Sequence, residues 1–181
     1  MKIPLEQIVK KECQRETNIY GMNAYEHIKS VVKYAEMLAQ KRKADEEIVK
    51  ISAWLHDMGS ILGDTENHHV SSGIYAEELL KKYNYPQDKI DAIKHCIFAH
   101  RGSQNIKRET IEAECLADAD SMSHFDSVVG LFRLALITKK MTEAEAKEFV
   151  YNKLMRSWNK LTSEAKDIIK DKYLAVETLL K

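Results

Sequence analysis

His56 and Asp57, adjacent within Ala53-Trp54-Leu55-His56-Asp57-Met58-Gly59, place an imidazole nitrogen beside a carboxylate. That mixed pair suits a borderline or hard divalent cation. Neighbours on a regular helix point about 100° apart, so both can address one ion only where a helix ends or bends. Gly59 and Gly63 just downstream mark such a place. Further ligands must come from elsewhere in the chain. All seven histidines, His27, His56, His68, His69, His95, His100 and His124, lie between positions 27 and 124, among segments that also carry carboxylates. Asp118 and Asp120 stand about 200° apart on a helix and cannot both face one ion. His95 and His100, five apart, diverge by about 140° and do not share an ion.

The elements that must position these groups read as helices. Residues 2–16 form a short amphipathic helix. Asn23 with Glu26 has the spacing of a capping box and opens a long helix to about Lys43. On it His27 shares a stripe with Val31, Tyr34 and Leu38 and so points inward. Asp45 caps the next helix, whose core positions Ile48, Ile51, Ser52 and Leu55 lead to His56-Asp57 at its end. Asp64 or Thr65 starts a helix through His68-His69 to about Tyr83, with Ile74, Ala76, Leu79 and Leu80 as buried positions. Pro86 begins a helix that carries His95 and ends near His100-Arg101-Gly102. After a polar loop at 103–108, a helix marked by Ile111, Cys115, Leu116 and Ala119 carries Asp118 and Asp120. Val128 to Ile137 reads as a core helix, Thr142 with Glu145 as a second capping box opening a helix to about Lys160, and Thr162 as the cap of a last helix running to the C-terminus.

With 181 residues, 44% hydrophobic and 31% charged, the chain suits one soluble all-α domain. Only two prolines and six glycines punctuate it, too few for a β-rich fold. Lys+Arg and Asp+Glu balance at 28 each, which argues against general binding to polymeric nucleic acid or to a membrane surface. No run reaches the roughly 20 apolar residues of a bilayer span. Cys13, Cys96 and Cys115 have no paired spacing and read as reduced core thiols, so the expected location is cytoplasmic. The chain lacks a GxSxG elbow, a P-loop, GxGxxG and HExxH.

The order His27, then His56-Asp57, then Asp120 within Leu116-Ala117-Asp118-Ala119-Asp120 resembles the H…HD…D signature of the HD-domain metal-dependent phosphohydrolases. The likeness extends through Tyr25-Glu26-His27, His69 four before Gly73, Ile97-Phe98-Ala99-His100-Arg101, and Lys153-Leu154…Trp158…Leu161-Thr162, over roughly residues 20–180. It implies an all-α HD-domain bundle spanning 1–181, with a metal-binding core at about 20–126 and C-terminal helices at about 127–181 completing it.

By this resemblance His27, His56, Asp57 and Asp120 are the metal ligands. One divalent ion per chain (Mn, Mg, Fe, Co, Ni or Zn) is expected, with a second ion an alternative through His69 and His100. The sequence departs from many dinuclear members, which follow the pair with Gly-Lys, and from nucleotidase members with a glutamate three residues after the pair. Ser60 stands at that position here. Asp57, His69 and Asp64 then become the catalytic candidates, Glu66 a further acid–base option, and His100, Arg101 and Lys94 the substrate-binding ones. His124, one turn after Asp120, either orients it or is a surface residue. The expected activity is hydrolysis of a phosphate ester or anhydride of a small phosphorylated metabolite, a nucleotide above all, by a metal-activated water. The alternatives are a dinuclear HD enzyme, phosphodiesterase or oxygenase-like, and a non-catalytic metal-binding sensor. The apolar helices also leave room for an oligomer interface.

Overall fold

Helical periodicity governs the whole of the computed structural model, which describes residues 3–101 and 106–181 and has no strand among them. In chain order the helices are α1 (Leu5–Glu12), α2 (Met22–Arg42), α3 (Glu46–Leu55), α4 (Met58–Ile61), α5 (His68–Lys82), α6 (Gln87–Ala99), α7 (Ile111–Ser123) and α8 (Val128–Arg133). A π-helical turn (Leu134–Thr138) then leads to α9 (Glu143–Lys160), α10 (Ser163–Ile168) and α11 (Lys170–Leu180). Parts of the expected N-terminal helix and of the 103–108 loop, together with Gly102, lie outside the described residues.

α2 is the central rod. Its stripe Ile28, Val31, Val32, Ala35 and Leu38 is buried against α7 and α3. This ridge aims His27 inward from the first turn, as its spacing with Val31 predicts. α2 starts at Met22, and no side-chain cap from Asn23 forms. Gly21 instead turns the chain with φ 58 and ψ −149, a conformation closed to residues with a Cβ. Buried Asn18 shapes the approach, donating to Cys13 O and Gly21 O and accepting from Tyr20 N–H.

Asp45 caps α3 as expected, accepting from the backbone N–H groups of Glu47 and Ile48. α3 stops at Leu55, and Asp57 sits at φ −108, ψ 12, in the sparsely populated bridge between α and β backbone. α4 restarts immediately after it. The His56-Asp57 pair therefore straddles a bend, which brings two neighbouring side chains to one point.

Four further expectations need correction. α5 begins at His68 rather than at residue 64 or 65, and Ile74 on it is 53% exposed because its face looks away from α6. The C-terminal helix breaks at Ile169 (φ −110), dividing α10 from α11. Val128–Ile137 is not a core helix: Val129 is 83% and Ile137 65% exposed, and only Ala135 is fully buried. A six-residue helix followed by a π turn buries one side at most, and its other apolar residues form a wall of the cleft described below. The capping box at Thr142 and Glu145 forms as expected and starts α9, which adds Val150 and Leu154 to the core.

Candidate metal centre

Four side chains from three places converge beside the α3–α4 bend. His27 comes from α2, His56 and Asp57 from the bend, and Asp120 from α7. His27 Nε2 stands 3.3 Å from Asp120 Oδ1 and 3.6 Å from Asp57 Oδ2, while His56 Nε2 stands 3.5 Å from Asp57 Oδ2 and 3.8 Å from Asp120 Oδ1. Ligand atoms held at 2.0–2.2 Å from one cation lie about 3.0–3.5 Å apart. His27, His56 and Asp57 offer ligand atoms all within 4.8 Å of one another, and Asp120 joins them through His27 and His56 at separations close to that range. His56 Nε2 is buried without a hydrogen-bond partner. A polar atom in that state is costly unless something accepts its lone pair, and a divalent cation does.

The ring nitrogens are set by a repeated device. His56 Nδ1 donates to Ala53 O at 2.8 Å, His68 Nδ1 to Thr65 O at 3.2 Å, and His100 Nδ1 to Ile97 O, each three residues back. His27 Nδ1 donates to Ser123 Oγ, whose own proton goes to Asp120 O. His124 Nδ1 likewise donates to Ser157 Oγ, which donates to Lys153 O. With Nδ1 committed, all five rings turn Nε2 toward Asp57 or Asp120.

Burial alone would raise the pKa of Asp57 and Asp120. The surrounding imidazoles outweigh it, those of His56, His68 and His27 on Asp57 and those of His124, His27 and His56 on Asp120, and hold both carboxyls well below the usual range. Burial also opposes charge on His56, yet Asp57 and Asp120 lift it to about 9. Burial, reinforced by His56, pushes His100 down to about 4. Carboxylate oxygens beside imidazole nitrogens are the donor set a borderline cation takes, and a bound cation would stand where Asp57 and Asp120 favour a proton on His56.

Asp57 also faces the other way. Its Oδ1 is 3.6 Å from His68 Nε2 and 4.0 Å from His100 Nε2, a second group of three ligand atoms all within 4.8 Å of one another. His27, Asp120 and His124 form a third such group. These residues open into a cleft of about 590 Å³ lined also by Leu131, Arg133, Leu134, Lys153 and Arg156.

The other residues singled out from sequence fall elsewhere. Adjacent positions on a helix diverge, and on α5 it is His68 that enters the cleft. His69 packs on Phe98 with ring centroids 5.2 Å apart, and its Nδ1 accepts from Arg101 Nη1 at 3.0 Å, which puts its proton on Nε2. Arg101 also donates to Glu66 O. Asp64 Oδ1 accepts from Asn67 N–H at 2.8 Å and shapes the loop before α5 rather than the cleft. Lys94 pairs with Glu77 on the α5–α6 face. His95 accepts from Glu109 N–H. Asp118 is fully buried against Arg42 and Thr162. His124 is a cleft residue rather than a surface one, and the i, i+4 spacing from Asp120 was its signal. Lys153 and Arg156 carried no signal of a site.

Residues 24–124 match the family model described as HD domain. Ribonuclease Y of Desulforudis audaxviator is 30% identical over 127 residues, 70% of this chain and 23% of that protein. Ribonuclease Y of Fusobacterium nucleatum is 33% identical over 105 residues, 58% of this chain and 19% of that protein. The chain thus spans less than a quarter of the length of these curated relatives. Bacillus subtilis YpgQ, solved in complex with ADP, superposes with a TM-score of 0.64 at 20% identity, covering 93% of this chain and 90% of its own. A predicted HD superfamily hydrolase from an uncultured Thermotogales bacterium gives 0.56 at 19%, covering 94% and 90%. No helix among the described residues is long and apolar enough to cross a membrane.

Proposed function

The chain belongs to the HD-domain hydrolase superfamily, and on that premise we propose that it is a metal-dependent phosphohydrolase that cleaves a phosphate ester or anhydride of a nucleotide. The observation that carries this reading is the buried, unpartnered Nε2 of His56 beside His27, Asp57 and Asp120, each carboxylate within 3.8 Å of both imidazoles. His27, His56, Asp57 and Asp120 would hold the cation. A divalent ion in that nest supplies Lewis acidity toward a phosphoryl oxygen and a water acidified toward neutrality for attack on phosphorus.

The chain's own groups supply the rest. The carbonyls of Ala53, Thr65 and Ile97 hold the rings of His56, His68 and His100 in place. His68, beside Asp57 at the cleft wall, is placed to hold a proton at Nε2 or to donate it to an oxygen on phosphorus. Full burial of His56 and near burial of His100 keep water off the floor of the nest. A cleft of about 590 Å³ is of the size that takes a small ligand, and ADP is what YpgQ, a chain of the same fold, was solved with.

A second reading is favoured by one feature: Asp57 presents its two oxygens to two separate pairs of imidazoles. A second ion between Asp57, His68 and His100 would make the site dinuclear. Metal content by elemental analysis, paired with phosphate release from a nucleotide panel with added manganese, tests both readings. One ion per chain with phosphate release is expected. Two ions would establish the second reading, and bound metal without turnover would leave a metal-binding sensor. Unchanged metal content and turnover in Asp57→Ala would overturn the assignment.

A further inference from the structure

The cleft that holds the metal nest is also lined by four cations: Arg133 of α8, Lys139 just after the π turn, and Lys153 and Arg156 of α9. Its carboxylates, among the described residues, are Asp57 and Asp120 alone. Among the described residues none of the four cations has a carboxylate within ion-pair distance, whereas cations elsewhere do: Lys94 has Glu77, Lys89 has Glu47 and Lys172 has Asp126. Like charges three or four residues apart on a helix oppose folding, and Lys153, Arg156 and Lys160 form such a row along α9. Burial, and then the charge of Lys153, lowers the pKa of Lys160, so the repulsion is not relieved within the fold.

Two features aim this row. Lys139 Nζ lies 5.8 Å over the ring of Phe149, itself a cleft residue, which fixes its direction. The π turn closes with Lys139 N–H on Leu134 O, five residues back, and so re-aims the chain that delivers Lys139. Such turns are frequent at functional sites.

We infer that Arg133, Lys139, Lys153 and Arg156 seat a chain of linked phosphates, and that the substrate class is the nucleoside di- and triphosphates rather than monophosphates. The inference rests on the phosphohydrolase reading above. Charge and geometry decide it. One divalent ion offsets Asp57 and Asp120, and the four remaining positive charges match the roughly four negative charges of a nucleoside triphosphate near neutral pH. A single phosphate engaged in the nest compensates the four cations only in part. A chain of phosphates brings more negative charge to them, and each added phosphate gains charge-assisted hydrogen bonds from Lys or Arg. The apolar residues that also line the cleft, Ile19, Leu131, Leu134 and Ile137, are then left to the rest of the nucleotide.

The test is isothermal titration of the manganese-loaded protein with orthophosphate, pyrophosphate and tripolyphosphate at fixed ionic strength. In the unaltered protein affinity should rise about tenfold with each added phosphate. In the Lys153→Met/Arg156→Gln double variant that rise should collapse to within about threefold, with manganese stoichiometry unchanged. Lys153→Arg/Arg156→Lys keeps the charge and should keep the rise, which separates charge from packing should the first variant prove unstable. Equal affinity for all three anions in the unaltered protein, or a rise that survives charge removal, overturns the inference. Turnover of ATP, ADP and AMP keeps the two readings apart. Failure of the phosphohydrolase reading leaves the affinity rise intact with no phosphate released, and failure of this inference leaves release intact with KM for ATP no lower than for AMP.

Discussion

Arg42 donates from Nη2 to Asp118 Oδ2 across 2.6 Å, joining the end of α2 to the middle of α7 in a buried ion pair. The same carboxylate accepts from Thr162 Oγ1 at 2.7 Å and Thr162 N–H at 3.1 Å, and Arg42 Nε donates to Glu164 at 2.8 Å. One aspartate therefore ties the α9–α10 junction to the rod that carries His27. Asp118→Ala would leave the Arg42 guanidinium buried with its closest partner gone, and should lower the unfolding free energy by about 3–5 kcal/mol. Urea denaturation measures it, and a loss below about 1 kcal/mol would show that Glu164 alone suffices.

This pair also indicates what a sequence can and cannot reveal. The divergence of Asp118 and Asp120 around a helix was readable, and the structure puts one in the latch and the other in the nest. The helical class, the inward face of His27 and the helix end at His56 were readable for the same reason, since periodicity fixes which residues share a face. Periodicity does not fix what covers that face. Choosing between His68 and His69 requires the packing of α5 on α4 and α6, and no spacing encodes it. The apolar run from Val128 looked like core because apolar residues line binding clefts as well as cores. Lys153 stood in the sequence only within the family likeness and Arg156 not at all, because nothing in spacing shows that α9 lines the cleft.

His68 and His69 then differ in what their loss should do. His68 Nε2 faces Asp57 in the cleft, so His68→Ala should cut kcat about 100-fold with little change in stability. His69 lies between Phe98 and Arg101, so His69→Ala should act through packing, costing about 1–2 kcal/mol of stability and far less of kcat. Parallel kinetics and thermal unfolding separate the two. The reverse ranking would mean that His69 rather than His68 serves the reaction.

Asp126 gives the fold a term that acid should remove. Its carboxylate accepts from Ser30 Oγ at 2.7 Å, from Tyr34 Oη at 3.2 Å and from Lys172 Nζ, linking α2, the α7–α8 turn and α11. Burial opposes its charge, but Lys172 and Ser30 prevail and its pKa is lowered. A folded-state pKa below the unfolded value means stability that is present above about pH 4 and is lost as pH falls through the folded pKa. Asp126→Asn should therefore cost about 1 kcal/mol at pH 7, and the gap to the unaltered protein should shrink as the pH is taken toward 3. A gap that stays constant with pH would assign the effect to shape instead.

Gly59 supplies the closest link between packing and chemistry. Reading it as the mark of a turn explains its place after the pair but not its need for a missing side chain, because it sits inside α4 with its N–H donating to Ser72 Oγ at 2.8 Å. A Cβ there would stand 2.9 Å from both Cα and O of His68, contacts with backbone that no side-chain rotation relieves. Gly59→Ala must therefore push the start of α5 away from α4, at about 1–3 kcal/mol of stability. The displaced residue is His68, so the same methyl should draw its Nε2 away from Asp57 and lower kcat by about tenfold or more. His27, His56 and Asp120 are held by other elements, so manganese should still bind. A Gly59→Ala protein that is destabilised, keeps its metal and is slow would place the start of α5 in the reaction, whereas one destabilised with full kcat would confine Gly59 to the fold.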